Sequence, residues 1–174
     1  MEMKHLLFSS VLLLNLISLL SFSQARSSIV PLPQPALSSF KINTTSKNDR
    51  SCSYTVRITT SCSSPVYTRD QISLSFGDAY GNQVYAPRLD DPSTRTFERC
   101  SADTFTVYGP CTYPICYLYL YRRGYDGWMP EYVRVYGSST VTFYYKTYIP
   151  SDLWYGFNYC NGVTSSATPA VSVQ

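Results

Sequence analysis

One domain with a modest core is what 174 residues can build, and a net charge of +3 is too small and too scattered to describe a nucleic-acid-binding surface. Past residue 25 the only basic doublet is Arg122-Arg123, and no later stretch is apolar and long enough to span a bilayer.

The chain opens with a sorting signal. Residues 1–4 give a short charged start, residues 6–20 are almost unbroken apolar sequence, and Ser23-Gln24-Ala25 puts small residues where a signal peptidase inspects them. Cleavage is expected after Ala25, leaving a secreted, extracellular protein of the apoplast or cell wall. The apolar run of about 15 residues is shorter than the roughly 20 a spanning helix needs; a retained anchor is the competing reading. Residues 26–50 form a tail with Pro31, Pro33 and Pro35 followed by Ser and Thr, a composition that favours extended chain over packed structure. Asn43-Thr44-Thr45 in that tail is an N-glycosylation acceptor.

From residue 51 to 161 strand-like runs alternate with turns. Tyr54, Val56 and Ile58 alternate with Thr55, Arg57 and Thr59; Ile72, Leu74 and Phe76 with Ser73 and Ser75; Phe105 and Val107 with Thr104 and Thr106; Val133 and Val135 with Tyr132, Arg134 and Tyr136. Period two with polar outer positions predicts half-buried strands. Turns are expected at residues 78–82, Asp90-Asp91-Pro92, Gly109-Pro110 and residues 124–127. Seven or eight strands and no useful amphipathic helix predict two packed antiparallel sheets, an all-β sandwich. Residues 162–174 are Ser-, Thr- and Ala-rich and are read as a flexible C-terminal tail.

Six cysteines follow the cleavage point: Cys52, Cys62, Cys100, Cys111, Cys116 and Cys160. An even number in an exported chain predicts a disulfide framework, and a zinc site lacks both histidines and paired CxxC hooks. The pairing is open among 15 connectivities. Cys52 and Cys62 are poor partners, because ten residues of extended strand would hold them roughly 30 Å apart and a disulfide needs Cα atoms within about 7 Å.

Tyrosine is frequent, at 17 residues. In residues 115–121, Cys116, Leu118 and Leu120 share one strand face and Tyr117, Tyr119 and Tyr121 the other. An outward tyrosine ladder would suit a sugar ring or a partner protein. Cross-strand pairing that stabilises the sheet is the simpler reading and is preferred.

Three blocks, residues 68–105, 109–137 and 153–160, together resemble the plant embryo-specific protein 3 family, within the PLAT or lipoxygenase-homology group. Within them, Thr68-Arg69-Asp70, Gly77-Asp78, Asp126-Gly127-Trp128 and the Val133 to Val135 strand are similar to the PLAT pattern. The resemblance implies an eight-stranded PLAT-like β-sandwich and a non-catalytic module that docks to membranes or proteins. It departs in a shorter, cysteine-bearing first loop around Cys62 and a rearranged glycine-tryptophan loop.

The only histidine, His5, lies in the segment expected to be removed, so no Ser-His-Asp or Cys-His arrangement and no histidine ligand remains. Paired acids for glycoside hydrolysis are available in Asp90, Asp91, Glu98, Asp103, Asp126 and Glu131, without a surrounding motif. By fold analogy Asp70, Asp78 and Asp126 are calcium candidates, although Asp70 could equally pair with Arg69 or Arg88 or cap a turn. Trp128 and Met129, in an expected loop, are candidates for membrane or protein contact; alternatively they fold back as a lid. The reading is a secreted non-enzyme, needing no cofactor other than that candidate calcium, that recognises a protein or lipid surface in seed or embryo development or in a stress response. A lectin-like module for cell-wall glycans, using the tyrosine ladder, is the alternative, and a glycan-active enzyme the third.

Overall fold

Alternation in sequence becomes alternation in burial. In the strand Ser51–Thr60, Tyr54, Val56 and Ile58 are buried while Thr55 and Arg57 are exposed. The computed structural model describes residues 36–37, 42, 50–90 and 93–161. Their strands, in chain order, are β1 (Ala36–Leu37), β2 (Ser51–Thr60), β3 (Gln71–Gly77), β4 (Gln83–Ala86), β5 (Ala102–Pro110), β6 (Tyr117–Arg123), β7 (Pro130–Tyr136), β8 (Thr140–Tyr144) and β9 (Trp154–Asn158). They form a five-stranded sheet, β1-β9-β6-β3-β4, and a four-stranded sheet, β5-β2-β7-β8. Every pairing between strands is antiparallel. The expected sandwich is what forms. The proposed cleavage site, Asn43 and the tail at residues 162–174 lie outside the described residues.

The inward faces close one core. Val56, Ile58, Val133, Val135 and Phe143 of the smaller sheet meet Ile72, Leu74, Phe76, Leu118, Leu120 and Phe157 of the larger. Each such side chain contributes about 1.5–3 kcal/mol on burial. Tyr54 and Tyr145 enter this core only because their hydroxyls have acceptors. Tyr54 Oη donates to the Pro110 carbonyl at 2.8 Å and Tyr145 Oη to that of Leu118 at 3.1 Å. Burial drives the Tyr145 phenol well above its ordinary value.

Three disulfides close the fold: Cys52–Cys111, Cys62–Cys100 and Cys116–Cys160. Cys52 and Cys62 do pair elsewhere, as strand geometry requires. Two expectations need correction. Gly109 and Pro110 are not a turn; they end β5, opposite Cys52 and Ser51. Ala36 and Leu37, in the tail expected to carry no packed structure, pair with β9 as β1; β4, β8 and β9, at four or five residues, are too short for period two to mark.

Candidate recognition surface at the loop end

Antiparallel topology gathers the described parts of four connections at one end of the sandwich: residues 61–70, 87–90 with 93–101, 124–129 and 145–153. A buried ion pair ties three of them. Arg122, at the end of β6, pairs with Asp70, which precedes β3; both side chains are almost wholly buried. The second oxygen and its neighbour also accept backbone donors, Asp126 N and Gly127 N, each at 3.0 Å. Arg122 Nε reaches the Ile149 carbonyl at 2.8 Å and Nη1 the Gly124 carbonyl at 3.0 Å. Gly124 is required here, since its φ is +147° and an added Cβ would lie 2.0 Å from Asp70 Oδ1.

The fourth connection joins through Cys62–Cys100 and through Arg99, whose backbone N and Nε donate to the Val66 and Ser64 carbonyls at 3.0 and 2.7 Å. Arg69 N donates to Asp126 Oδ2 at 2.8 Å, and Tyr148 Oη to the Ser63 carbonyl at 3.0 Å. Phe97 and Trp128 sit beneath the loops with ring centroids 4.9 Å apart, and Trp128 Nε1 donates to Thr60 Oγ1 at 3.0 Å.

This end also stores strain. Arg95, Phe97, Cys100, Lys146 and Asp152 have φ between 51° and 63°, and they are the non-glycine residues of positive φ among those described. All five lie in two of these loops. Left-handed non-glycine residues each cost on the order of 1–3 kcal/mol, and they concentrate where function needs a fixed loop shape.

The surface so fixed is aromatic and internally neutralised. Val66, Tyr67, Tyr125 and Tyr148 project from three of the loops, Tyr125 with its full surface in solvent (105 %). The ion pairs Arg88–Asp90, Arg95–Glu98, Arg122–Asp70, Arg123–Asp152 and Lys146–Glu131 all lie at this end. An open cleft of about 250 Å³ runs between Tyr67, Arg69, Asp90, Arg95 and Glu98. Such a surface offers ring faces and hydroxyls rather than net charge.

The sequence comparisons bear on the whole domain. The family model for Embryo-specific protein 3 (ATS3) matches residues 39–160. The chain belongs to the embryo-specific protein 3 family. Embryo-specific protein ATS3B of Arabidopsis thaliana is 54% identical over 164 residues, covering 93% of this chain and 86% of that protein. Among solved structures, the sandwich is similar to part of a lipoxygenase, the Delta413-417:GS LOX variant, with a TM-score of 0.53 and 22% identity over 63% of this chain and 16% of that one. Alpha toxin from Clostridium absonum gives a TM-score of 0.52 and 21% identity over 66% of this chain and 33% of that one. The chain thus spans about a sixth of the lipoxygenase and a third of the toxin, and the likeness is one of fold: PLAT-like. The family's relatives carry names that describe expression in embryos rather than an enzyme activity.

The residues singled out from sequence fall in different places. All six cysteines are in disulfides. Trp128 is not a contact residue: at 0 % exposure it is the lid, and Met129 beside it is half-buried. Tyr117, Tyr119 and Tyr121 do lie on the face opposite Leu118 and Leu120, but they are not an open ladder. Tyr117 and Tyr119 are 8 % and 4 % exposed, and Tyr121 is half-buried. The strand beside them explains why. Ser73, Ser75 and Gly77 of β3 stand opposite the three tyrosines, and small residues let the rings lie down. A Cβ on Gly77 would meet the Tyr117 hydroxyl at 2.4 Å. Burial raises the Tyr117 phenol to about 12.

The calcium trio does not converge. Asp70 and Asp126 meet at the loop end, but Asp78 lies at the other end of β3. There it caps a turn, accepting from Tyr80 N at 2.8 Å, Asn82 N at 3.1 Å, Asn82 Nδ2 at 2.7 Å and Tyr113 N at 2.8 Å. Asp70 pairs with neither Arg69 nor Arg88, and Arg88 binds Asp90 at 2.8 Å instead. The contact candidates missed from sequence are Val66, Tyr67, Tyr125 and Tyr148. Their signal was weak: each sits in a loop, but only the topology shows that the loops share an end.

Proposed function

We propose that the protein is a secreted, non-catalytic recognition module of seeds or embryos that docks through its loop end on a protein or lipid surface. The observation carrying this reading is the concentration of fixed geometry and exposed rings in one place. Strained loops, a buried ion pair and a disulfide all serve to hold Val66, Tyr67, Tyr125 and Tyr148 outward. Aromatic residues held in this way lose little entropy on contact and suit both interfaces and bilayer headgroup regions. The non-catalytic part is supported by what the reactive groups already do: the cysteines are oxidised, and Asp70, Asp78 and Asp90 are engaged by guanidinium or backbone donors. Export is supported by the disulfide framework.

The experiment is sedimentation of the oxidised protein with neutral and anionic phospholipid vesicles, run beside cross-linked capture from developing embryos. Val66→Ser/Tyr125→Ser is expected to weaken whichever retention the wild type shows. Unchanged retention in that variant would move the docking surface elsewhere.

A further inference from the structure

The outward face of the four-stranded sheet carries a charge pattern the fold does not need. Arg57 on β2 stands directly opposite Arg134 on β7. Like charges in that position destabilise a sheet. No Asp or Glu occupies an outward position on β2, β5, β7 or β8, and neither guanidinium has a carboxylate partner among the described residues. Around the pair are rings and hydroxyls. Tyr132 and Tyr136 flank Arg134 on the same face, each roughly 6.6 Å along the strand. Tyr144 stands opposite Tyr132, their ring centroids 5.9 Å apart. Arg134 Nε donates to Thr142 Oγ1 at 2.9 Å, and its guanidinium carbon lies 5.5 Å from the Tyr132 ring centroid. Tyr136 and Tyr144 are 37 % and 47 % exposed.

We propose that this face binds an extended acidic polysaccharide, a polyuronate, with carboxylates held by Arg57 and Arg134 and sugar rings laid on Tyr132, Tyr136 and Tyr144. Charge complementarity selects an anion, and the planar guanidinium fork matches a carboxylate. The alternation Tyr-Arg-Tyr along β7 fits a polymer that repeats a ring and a carboxylate, and Thr55, Thr104 and Thr142 offer hydroxyls to the sugar. Two cations are too few for a nucleic acid, whose binding draws on many phosphate contacts. The face presents hydroxyls between its rings, unlike an apolar surface that enters a bilayer. None of these residues belongs to the loop end, so this surface and the docking reading stand or fall separately.

The test is affinity electrophoresis of the oxidised protein through gels containing unesterified polygalacturonate. The wild type is expected to be retarded, less so at high salt. Fully methyl-esterified polymer and neutral xylan are expected not to retard it. Arg57→Gln/Arg134→Gln should weaken binding by about tenfold or more. Val66→Ser/Tyr125→Ser should bind as wild type does. The arginine double variant should keep a urea midpoint close to that of the wild type, since relief of the like-charge pair offsets the lost Arg134–Thr142 hydrogen bond, which separates lost binding from lost folding. Absence of retardation, equal retardation of the arginine variant, equal retardation by the esterified or neutral polymers, or comparable arginine-dependent binding to DNA or anionic vesicles would each overturn the proposal.

Discussion

Removing the carboxylate of Asp70 should do more damage than any surface change of the same size. Asp70→Asn keeps the shape of the side chain but leaves Arg122 charged, buried and without its counter-ion. Breaking a buried pair from one side costs about 3–5 kcal/mol, most of it the penalty of the orphaned charge. The amides of Asp126 and Gly127 also lose a charged acceptor, each such bond being worth about 1.5–3 kcal/mol at most. Arg122 keeps the carbonyls of Ile149 and Gly124, which places the expected loss at about 3–4 kcal/mol rather than beyond it. Arg122→Met in the Asp70→Asn background removes the orphan. The double variant should therefore be less destabilised than the sum of the singles by about 2 kcal/mol. Urea unfolding followed by tryptophan fluorescence measures all four species, since Trp128 and Trp154 are the two reporters. Hydrogen exchange at Gly127 should accelerate in Asp70→Asn. A single-variant loss under about 1 kcal/mol, or strict additivity in the cycle, would refute the view that this pair holds the loop end.

Cys62→Ser/Cys100→Ser removes a cross-link spanning 38 residues of sequence. Chain entropy predicts a loss of about 4 kcal/mol, and limited proteolysis should then cut first in residues 61–70, not near Cys116–Cys160. Trp128→Ala should cost about 3–5 kcal/mol in urea unfolding, as expected for a fully buried indole, where an exposed contact residue would change stability by no more than about 0.5 kcal/mol. For Asp78, burial alone would raise the carboxyl; donors from the Asn82 side chain and from the Tyr113, Tyr80 and Asn82 amides outweigh it and hold the group below its ordinary 3.8. Its contribution is therefore full above that value and is lost as pH falls through the lower, folded one. Asp78→Asn should be clearly less stable than wild type at neutral pH, with the gap in urea midpoint closing in strong acid.

Strand faces were legible because period two is a local property. Arg57, Arg134 and the tyrosines of β6 could be assigned to an outward face from parity alone. What parity cannot supply is the neighbour across the strand. Nothing near Arg57 announces Arg134, and nothing near Tyr119 announces that Ser75 and Gly156 would leave room for its ring to be buried. Of the two readings open for Trp128, the lid is the one that forms, for a related reason. A tryptophan after Asp-Gly looks like a loop tip, yet the loop folds over Phe97 and carries Tyr125 to the tip instead. The Asp70–Arg122 pair spans 52 residues, and the left-handed backbone at Arg95, Phe97 and Cys100 is imposed by tertiary contacts on residues with no preference for it. The disulfide pairing, too, follows from topology, which sets which strand ends meet.

If contact is made by the loop end, Tyr125 must lie against the partner. Site-specific photo-cross-linking tests it most directly, with a photoreactive phenylalanine analogue placed either at Tyr125 or at Tyr80, an exposed ring at the opposite end. In developing embryos, adducts to a protein or lipid should form from position 125 and not from position 80. Adducts from position 80 with none from position 125 would contradict it.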